Sequence, residues 1–227
     1  MSERSTAAAG YDRLAGVYDP LAAFAFGRAW SGLRGAWIDS LPDADRVWFL
    51  GDGTGGLTAR WLRRRPTSSV VGIDFSLGML ARQRRAAAVV GNCANRWRGI
   101  RMDFRDIDVR QATSIGPPPG GIIAAMSVDC LTAIELVRLA RNLQSVVESG
   151  GFWAVLDFVP PAEIRPRRHR IAHRIRLAAC HTFFRRFTAH PTRSLVDWPS
   201  AIESVGWVPT ARVDYGRIGA RSILYRK

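Results

Sequence analysis

RVWFLGDGTGGLTARWLRRRPTSSVVGID, residues 46–74, decides how the chain is read. Val47-Trp48-Phe49-Leu50 is a short apolar run with strand formers, and it meets a glycine cluster, Gly51-Asp52-Gly53-Thr54-Gly55-Gly56. Leu57, Trp61 and Leu62 then recur at helical spacing. A second apolar run, residues 70–73, ends in the carboxylate of Asp74. Strand, tight turn, helix and strand make a β-α-β unit with an acid at the tip of its second strand.

Glycines let a backbone approach a ligand closely, and a helix N-terminus offers free N–H groups. An acid at the next strand tip can accept both hydroxyls of a ribose. Together they describe a nucleoside-containing cofactor at the carboxyl ends of parallel strands. Gly51, Gly53 and Gly56 also satisfy G-x-G-x-x-G, with Asp74 near the expected distance. At this point S-adenosylmethionine and NAD both fit.

Upstream, residues 1–10 are small and polar and are expected to be mobile. Residues 21–38 carry Leu21, Phe24, Phe26, Trp30, Leu33 and Trp37 on a roughly helical period, which predicts one or two helices beside the first strand. Pro42, Asp43 and Asp45 turn the chain into that strand.

Downstream, Ser76 is placed to cap a helix that fades at Gly91-Asn92, and residues 100–104 predict a third strand ending near Asp106-Ile107-Asp108. After the break at residues 117–120, residues 121–126 form a continuously apolar fourth strand. Ser127-Val128-Asp129-Cys130 stands at its carboxyl end. A helix over 132–148 precedes a fifth strand, 152–156, which ends at Asp157-Phe158. Residues 164–188 are arginine-rich and helical, residues 198–205 form another helix, and residues 207–213 and 218–225 predict a closing antiparallel hairpin.

The composition of 227 residues, 47% of them hydrophobic, supplies one well-cored domain with room for an inserted lid. No run of about 18 apolar residues exists, so no membrane-spanning helix is expected. The first residues lack the basic start and apolar core of a secretory signal, and a cytoplasmic location is expected. Cys93, Cys130 and Cys180 are widely spaced and odd in number, which fits neither a disulfide framework nor a zinc site. His169 and His173 lie four residues apart with no acid or cysteine to complete a set, so no metal is expected. The net charge of +14 rests on arginine, since Lys227 is the sole lysine. Such a chain is drawn to phosphate backbones or anionic lipid headgroups, so nucleic acid and the surface of an anionic membrane stay open as partners, the former not favoured.

The motifs resemble those of the class I S-adenosylmethionine-dependent methyltransferases, and among them the small ubiquinone and menaquinone biosynthesis type. Five segments match in order over nearly the whole chain: YDRLAGVYDPL, LGDGTGGLT, GIDFSLGMLARQR, SVDCL, and SGGFWAVLDF ahead of a variable region containing FFRRFT. The resemblance implies an α/β, Rossmann-like, doubly wound, mostly parallel seven-stranded sheet with an antiparallel C-terminal hairpin and helices on both faces. It divides one domain into an N-terminal helical lid (1–45), a cofactor-binding core (46–158), a basic helical substrate cap (159–190), and a C-terminal helix and hairpin (191–227).

It also implies roles. Gly51, Gly53 and Gly55, with Asp52 and Thr54 between them, would pass under the methionine and ribose of S-adenosylmethionine. Asp74 would hold the ribose hydroxyls, Phe75 and Met79 would flank the adenine, Asp106 would meet its amino group, and Ile107 would cover its face. Tyr11 and Tyr18 would belong to the lid, and Ser127 would join the cofactor set from the fourth strand. Asp129 and Asp157, at strand tips facing the crevice, are the candidates for contacting the acceptor or the cofactor's methionine end.

One departure stands out. The fold's usual acid two residues before the first glycine is Phe49 here, so Asp52 would supply a substitute charge. The implied activity is methyl transfer to a small aromatic or lipophilic acceptor. The alternatives are an RNA or other nucleic-acid methyltransferase, a non-methylating protein of the same fold, and, last, an NAD enzyme. The sequence leaves oligomeric state open.

Overall fold

The computed structural model describes residues 3–91, 93–188 and 195–227. Met1, Ser2, Asn92 and residues 189–194, which include the end of the expected cap, lie outside the described residues. Three helices come first: α1 (Glu3–Leu14), α2 (Tyr18–Phe26) and α3 (Arg28–Ser40). The expected mobility of residues 1–10 is therefore corrected from Glu3 onward. The small residues there serve close packing: Ala7 is buried, and a Cβ on Gly10 would come within 2.4 Å of the Phe187 carbonyl oxygen.

The core runs through β1 (Arg46–Leu50), α4 (Gly56–Arg64), β2 (Ser69–Asp74), α5 (Leu77–Ala88), β3 (Trp97–Arg101), α6 (Val109–Ile115) and β4 (Gly121–Ala125), with β3 upstream of its expected place at 100–104 and α6 an element that the sequence did not announce. It continues with α7 (Ala133–Val146), β5 (Phe152–Phe158), α8 (Arg167–Thr188), α9 (Trp198–Glu203), β6 (Val208–Tyr215) and β7 (Ala220–Arg226). Local chemistry sets several of these boundaries. Ser76 Oγ accepts from Met79 N at the start of α5, and Thr132 with Glu135 closes a full capping box on α7.

The seven strands are ordered β3-β2-β1-β4-β5-β7-β6. The first five pair in parallel, and β7 runs against both β5 and β6. The sequence of β1 alternates between the two faces of the sheet. Trp48 and Leu50 pack with α7 residues such as Leu139 and Leu143, while Val47 and Phe49 pack with Trp37 of α3 and Trp61 of α4. Phe49 is 1% exposed and meets Trp61 edge-on, with ring centroids 6.3 Å apart. It is a core residue of that layer.

Chain order reverses between β1 and β4, and the crevice outside their carboxyl ends is where a doubly wound sheet places its ligands. Among the described residues no helix is long and apolar enough to cross a membrane.

Candidate functional site

A cavity of about 640 Å³ opens at those carboxyl ends. Its first wall is the loop after β1. Gly51 N donates to Ile73 O (3.0 Å), which ties the loop to β2, and Gln83 Nε2 on α5 donates to Gly53 O (3.1 Å). Gly55 begins α4 with φ +88°, and a Cβ there would sit 2.6 Å from Gln83 Cα. Only glycine fits that position. Gly51, Asp52 and Gly53 line the cavity, whereas Gly55 lies behind them against α5. Thr54 is also absent from the lining, and its hydroxyl donates to Asp19 Oδ1 on α2 (2.7 Å).

Asp52 is 5% exposed and accepts from Thr58 N (2.8 Å), so it caps α4 from inside the loop. Burial pushes its carboxyl upward, and the Arg34 guanidinium 3.6 Å away pulls it back. Asp52 thus lines the cavity as a loop carboxylate, while Phe49 on the strand is core.

Asp74 lines the cavity at the tip of β2, with Oδ1 accepting from Ser76 N (2.9 Å). Burial first, then the neighbouring carboxylates of Asp52, Asp12 and Asp103, raise its pKa to about 7. Asp12, which the sequence assigned no role, joins α1 to this corner: its Oδ1 accepts from Ser76 Oγ (2.6 Å) and Gly78 N (2.8 Å). Tyr11 then reaches the cavity and meets Phe75 edge-on at 5.4 Å, beside Met79. Tyr18 lines the cavity over Gly53, with its ring 3.6 Å from where a Gly53 Cβ would stand.

The corner expected of Asp106 and Ile107 is filled by other residues. Because β3 ends at Arg101, short of the expected end at Phe104, the strand-tip loop brings Asp103, Phe104 and Arg105 to the cavity. Asp106 is not among the lining residues, and Ile107 is fully buried in the core. Asp103 is clamped by Arg105, with Nε 2.8 Å from Oδ1 and 2.9 Å from Oδ2.

The two candidate catalytic acids have separate positions. Asp129 lines the cavity. Asp157 is fully buried and absent from the lining, and its Oδ2 accepts from the amides of Ser127 (3.1 Å), Val128 (2.9 Å) and Asp129 (3.1 Å). This corrects the expectation that Asp157 faces the crevice: it is the internal brace of the loop that presents Ser127 and Asp129. Met126, just before that loop, holds φ +56°, an unusual conformation for a side-chain-bearing residue at a cavity wall. Ser127 Oγ is buried, lines the cavity and has no hydrogen-bond partner among the described residues.

These observations fit a nucleoside-bearing cofactor. A glycine loop leaves room at the wall, and among the described residues Asp74 Oδ2 takes no hydrogen bond and Ser127 Oγ has no partner. The opposite end of the cavity is apolar. Leu21, Phe26, Phe158, Leu177, Phe183 and Phe184 face it from α2, β5 and α8. Phe26 stacks on Phe158 at 5.5 Å, and Tyr11 stacks on Phe184 at 6.0 Å. Cys130 and Cys180 also line it as free thiols, that of Cys130 pushed well up by burial. His173 lies apart, 1% exposed with Nε2 2.9 Å from Val159 O, so it serves the core. Among the described residues no group of three or more His, Cys, Asp or Glu could hold a metal ion.

No protein-family model and no curated protein sequence matches the chain. Solved structures do. An O-methyltransferase family protein from Burkholderia thailandensis superposes with a TM-score of 0.69 at 16% identity, over 95% of this chain and 61% of that one. An O-methyltransferase family 2 protein from Planctomyces limnophilus, solved in complex with apigenin, gives 0.67 at 16% identity over 95% and 62%. The S-adenosylmethionine-dependent methyltransferase SibL gives 0.63 at 21% identity over 96% and 61%. The chain thus spans about 60% of the length of these structures. What it shares with them is the seven-stranded Rossmann-like methyltransferase fold.

Proposed function

We propose that the chain is an S-adenosylmethionine-dependent methyltransferase acting on a small aromatic or lipophilic acceptor. One observation carries this reading: a single cavity joins the glycine loop and Asp74 at one end to an apolar, phenylalanine-lined chamber at the other. The small-molecule O-methyltransferases among the structural neighbours support it, as does the five-segment resemblance to the quinone-biosynthesis type. The acceptor atom is then a hydroxyl oxygen or an activated ring carbon.

Bound S-adenosylmethionine would supply a sulfonium methyl that is already electrophilic. The chain's own task is alignment and exclusion of water. Asp74 would accept from the ribose hydroxyls, Phe75 and Met79 would flank the adenine, and Asp103, which lines the cavity, would meet its amino group. Gly51 to Gly53 would run beneath the methionine part, with Ser127 Oγ offering a hydrogen bond and Asp52 with Arg34 setting the local charge. Asp129 is the cavity-lining carboxylate on the loop after β4, and it would take the proton of an acceptor that must lose one. Asp157 would act only by holding that loop in place. One domain with a lid, core and cap accords with the way α1, α2 and α8 border the same cavity.

Calorimetric titration with S-adenosylmethionine and S-adenosylhomocysteine tests the reading. Micromolar binding, lost in Asp74→Ala, is the expected result. Absence of binding by the folded protein, or preference for a nicotinamide cofactor, would overturn it. RNA binding with a steep salt dependence and no effect of small acceptors would favour the nucleic-acid alternative.

A further inference from the structure

Helix α2 breaks the usual rule for an apolar helix. Its sequence, YDPLAAFAF, is apolar over most of its length, yet none of its residues is buried. Phe24 is 93% exposed although it also lines the cavity, and Ile175 on α8 is 67% exposed and lines it too. Residues that touch both the cavity and the solvent form its rim. The rim is therefore apolar and wet, which is costly without a covering partner.

The arginines around it are sorted by direction. Arg176 points inward, donating to Ile218 O (2.9 Å) with its guanidinium 5.8 Å from the Phe26 ring. Arg167, Arg168, Arg174, Arg185 and Arg186 are exposed. At the helical period, Arg168, Ile171, Arg174, Ile175 and Arg185 fall within about a third of the circumference of α8, so cations and exposed isoleucines share a face. The 22 residues of α8 contain no acid. Asp19 on α2 and Glu163 before α8 are held by Thr54 and Arg221.

We propose that this rim docks on an anionic lipid bilayer. Phe24, Ile171 and Ile175 enter the acyl boundary, the exposed arginines of α8 meet the headgroups, and the apolar chamber faces the membrane. A lipophilic acceptor then enters from the bilayer without crossing water. The charge pattern selects this occupant over a second copy of the chain, because a two-fold contact would set arginine against arginine. It selects it over nucleic acid because a phosphate backbone gives Phe24 and Ile175 nothing to cover them. The combination of a basic flank and an apolar insertion is what interfacial helices use. Entry of an acceptor rests on the proposed methyl transfer, whereas docking of the surface is tested without cofactor, so failure of one is distinguishable from failure of the other.

Co-sedimentation with vesicles of phosphatidylcholine, with and without phosphatidylglycerol, measures it. The intact chain is expected to bind the anionic vesicles and to leave the neutral ones largely unbound. Arg174→Gln with Arg185→Gln should weaken binding by about fivefold per arginine. Phe24→Ser with Ile175→Ser should weaken it by about tenfold or more. All four positions are exposed, so the variants keep the fold, which circular dichroism checks. No binding to anionic vesicles overturns the proposal, as does binding that Phe24→Ser with Ile175→Ser leaves unchanged. A dimer in sedimentation velocity that Phe24→Ser dissolves would assign the rim to a second copy instead. Tighter binding to homopolymeric RNA than to anionic vesicles, insensitive to Phe24→Ser, would assign it to nucleic acid.

Discussion

At its sheet end the cavity is walled by backbone that is tied down at every step: Gly51 N on Ile73 O, Thr58 N on Asp52, Gln83 on Gly53 O, and three amides on Asp157. At its helix end the walls are α2, with no buried residue, and α8, where only His173, Leu177 and Thr188 are buried among its described positions. The first end offers one fixed polar geometry. The second has few buried residues, the kind of region from which low-cost local opening is drawn. The difference separates a region suited to a constant ligand from one suited to a variable ligand, which is how function is grafted onto a shared fold.

The sheet end depends most on Asp157. Asp157→Ala leaves three amides of the loop after β4 without an acceptor, and each donor buried in that state costs about 1–3 kcal/mol. Urea denaturation is expected to show a loss of about 3–5 kcal/mol. A loss below about 1 kcal/mol would mean that the sheet end is no more rigid than the helix end.

Asp74 makes the sheet end respond to pH. Its pKa is raised from 3.8 to about 7 in the folded chain. Between those values the folded state keeps a proton that the unfolded state has released, so stability falls as pH rises from about 4 to about 7. At about 1.4 kcal/mol per pKa unit, the upper limit of that fall is about 4 kcal/mol, less after local relaxation. The ionised carboxylate is the form that accepts from two hydroxyls, so S-adenosylmethionine should bind about tenfold more tightly at pH 8 than at pH 6. Asp74→Asn should flatten both trends, read by urea titration and calorimetry at the two pH values.

The smallest effect belongs to the helix end. Thr54→Val removes the exposed hydrogen bond to Asp19 that ties α2 to the glycine loop. A stability change of about 0.5 kcal/mol or less is expected, together with faster amide exchange across α2. Unaltered exchange would show that α2 is held by its apolar contacts alone.

Legibility in the sequence follows the same division. The unit from β1 to β2 can be placed almost to the residue, because glycine, strand period and a terminal acid are local signals. The third strand is displaced from its expected place because Trp97-Arg98-Gly99 looks like loop, yet Gly99 gives room to the Trp97 ring, whose Cη2 lies 2.5 Å from where its Cβ would be. That displacement is why Asp103, and not the expected Asp106, lines the cavity. Asp157 can be placed at a strand tip but not in depth, since its orientation follows from the loop of Ser127 to Asp129 folding back over it. Gln83, Asp12 and Arg34 are silent in the sequence, because each acts through a partner distant along the chain: Gly53, Ser76 and Asp52 respectively.

The order of the last strands bears on how the chain assembles. β6 reaches the sheet only through β7, which lies between it and β5. β6 therefore joins the sheet with β7 or after it, never before. Until residues 220–226 emerge from the ribosome, β5, buried along its whole length in the finished fold, presents an open hydrogen-bonding edge. That interval, from Phe158 to Ala220, also covers synthesis of the apolar and arginine-rich α8. The nascent chain is at its most adhesive then, and a chaperone that shields sheet edges would matter most during those residues.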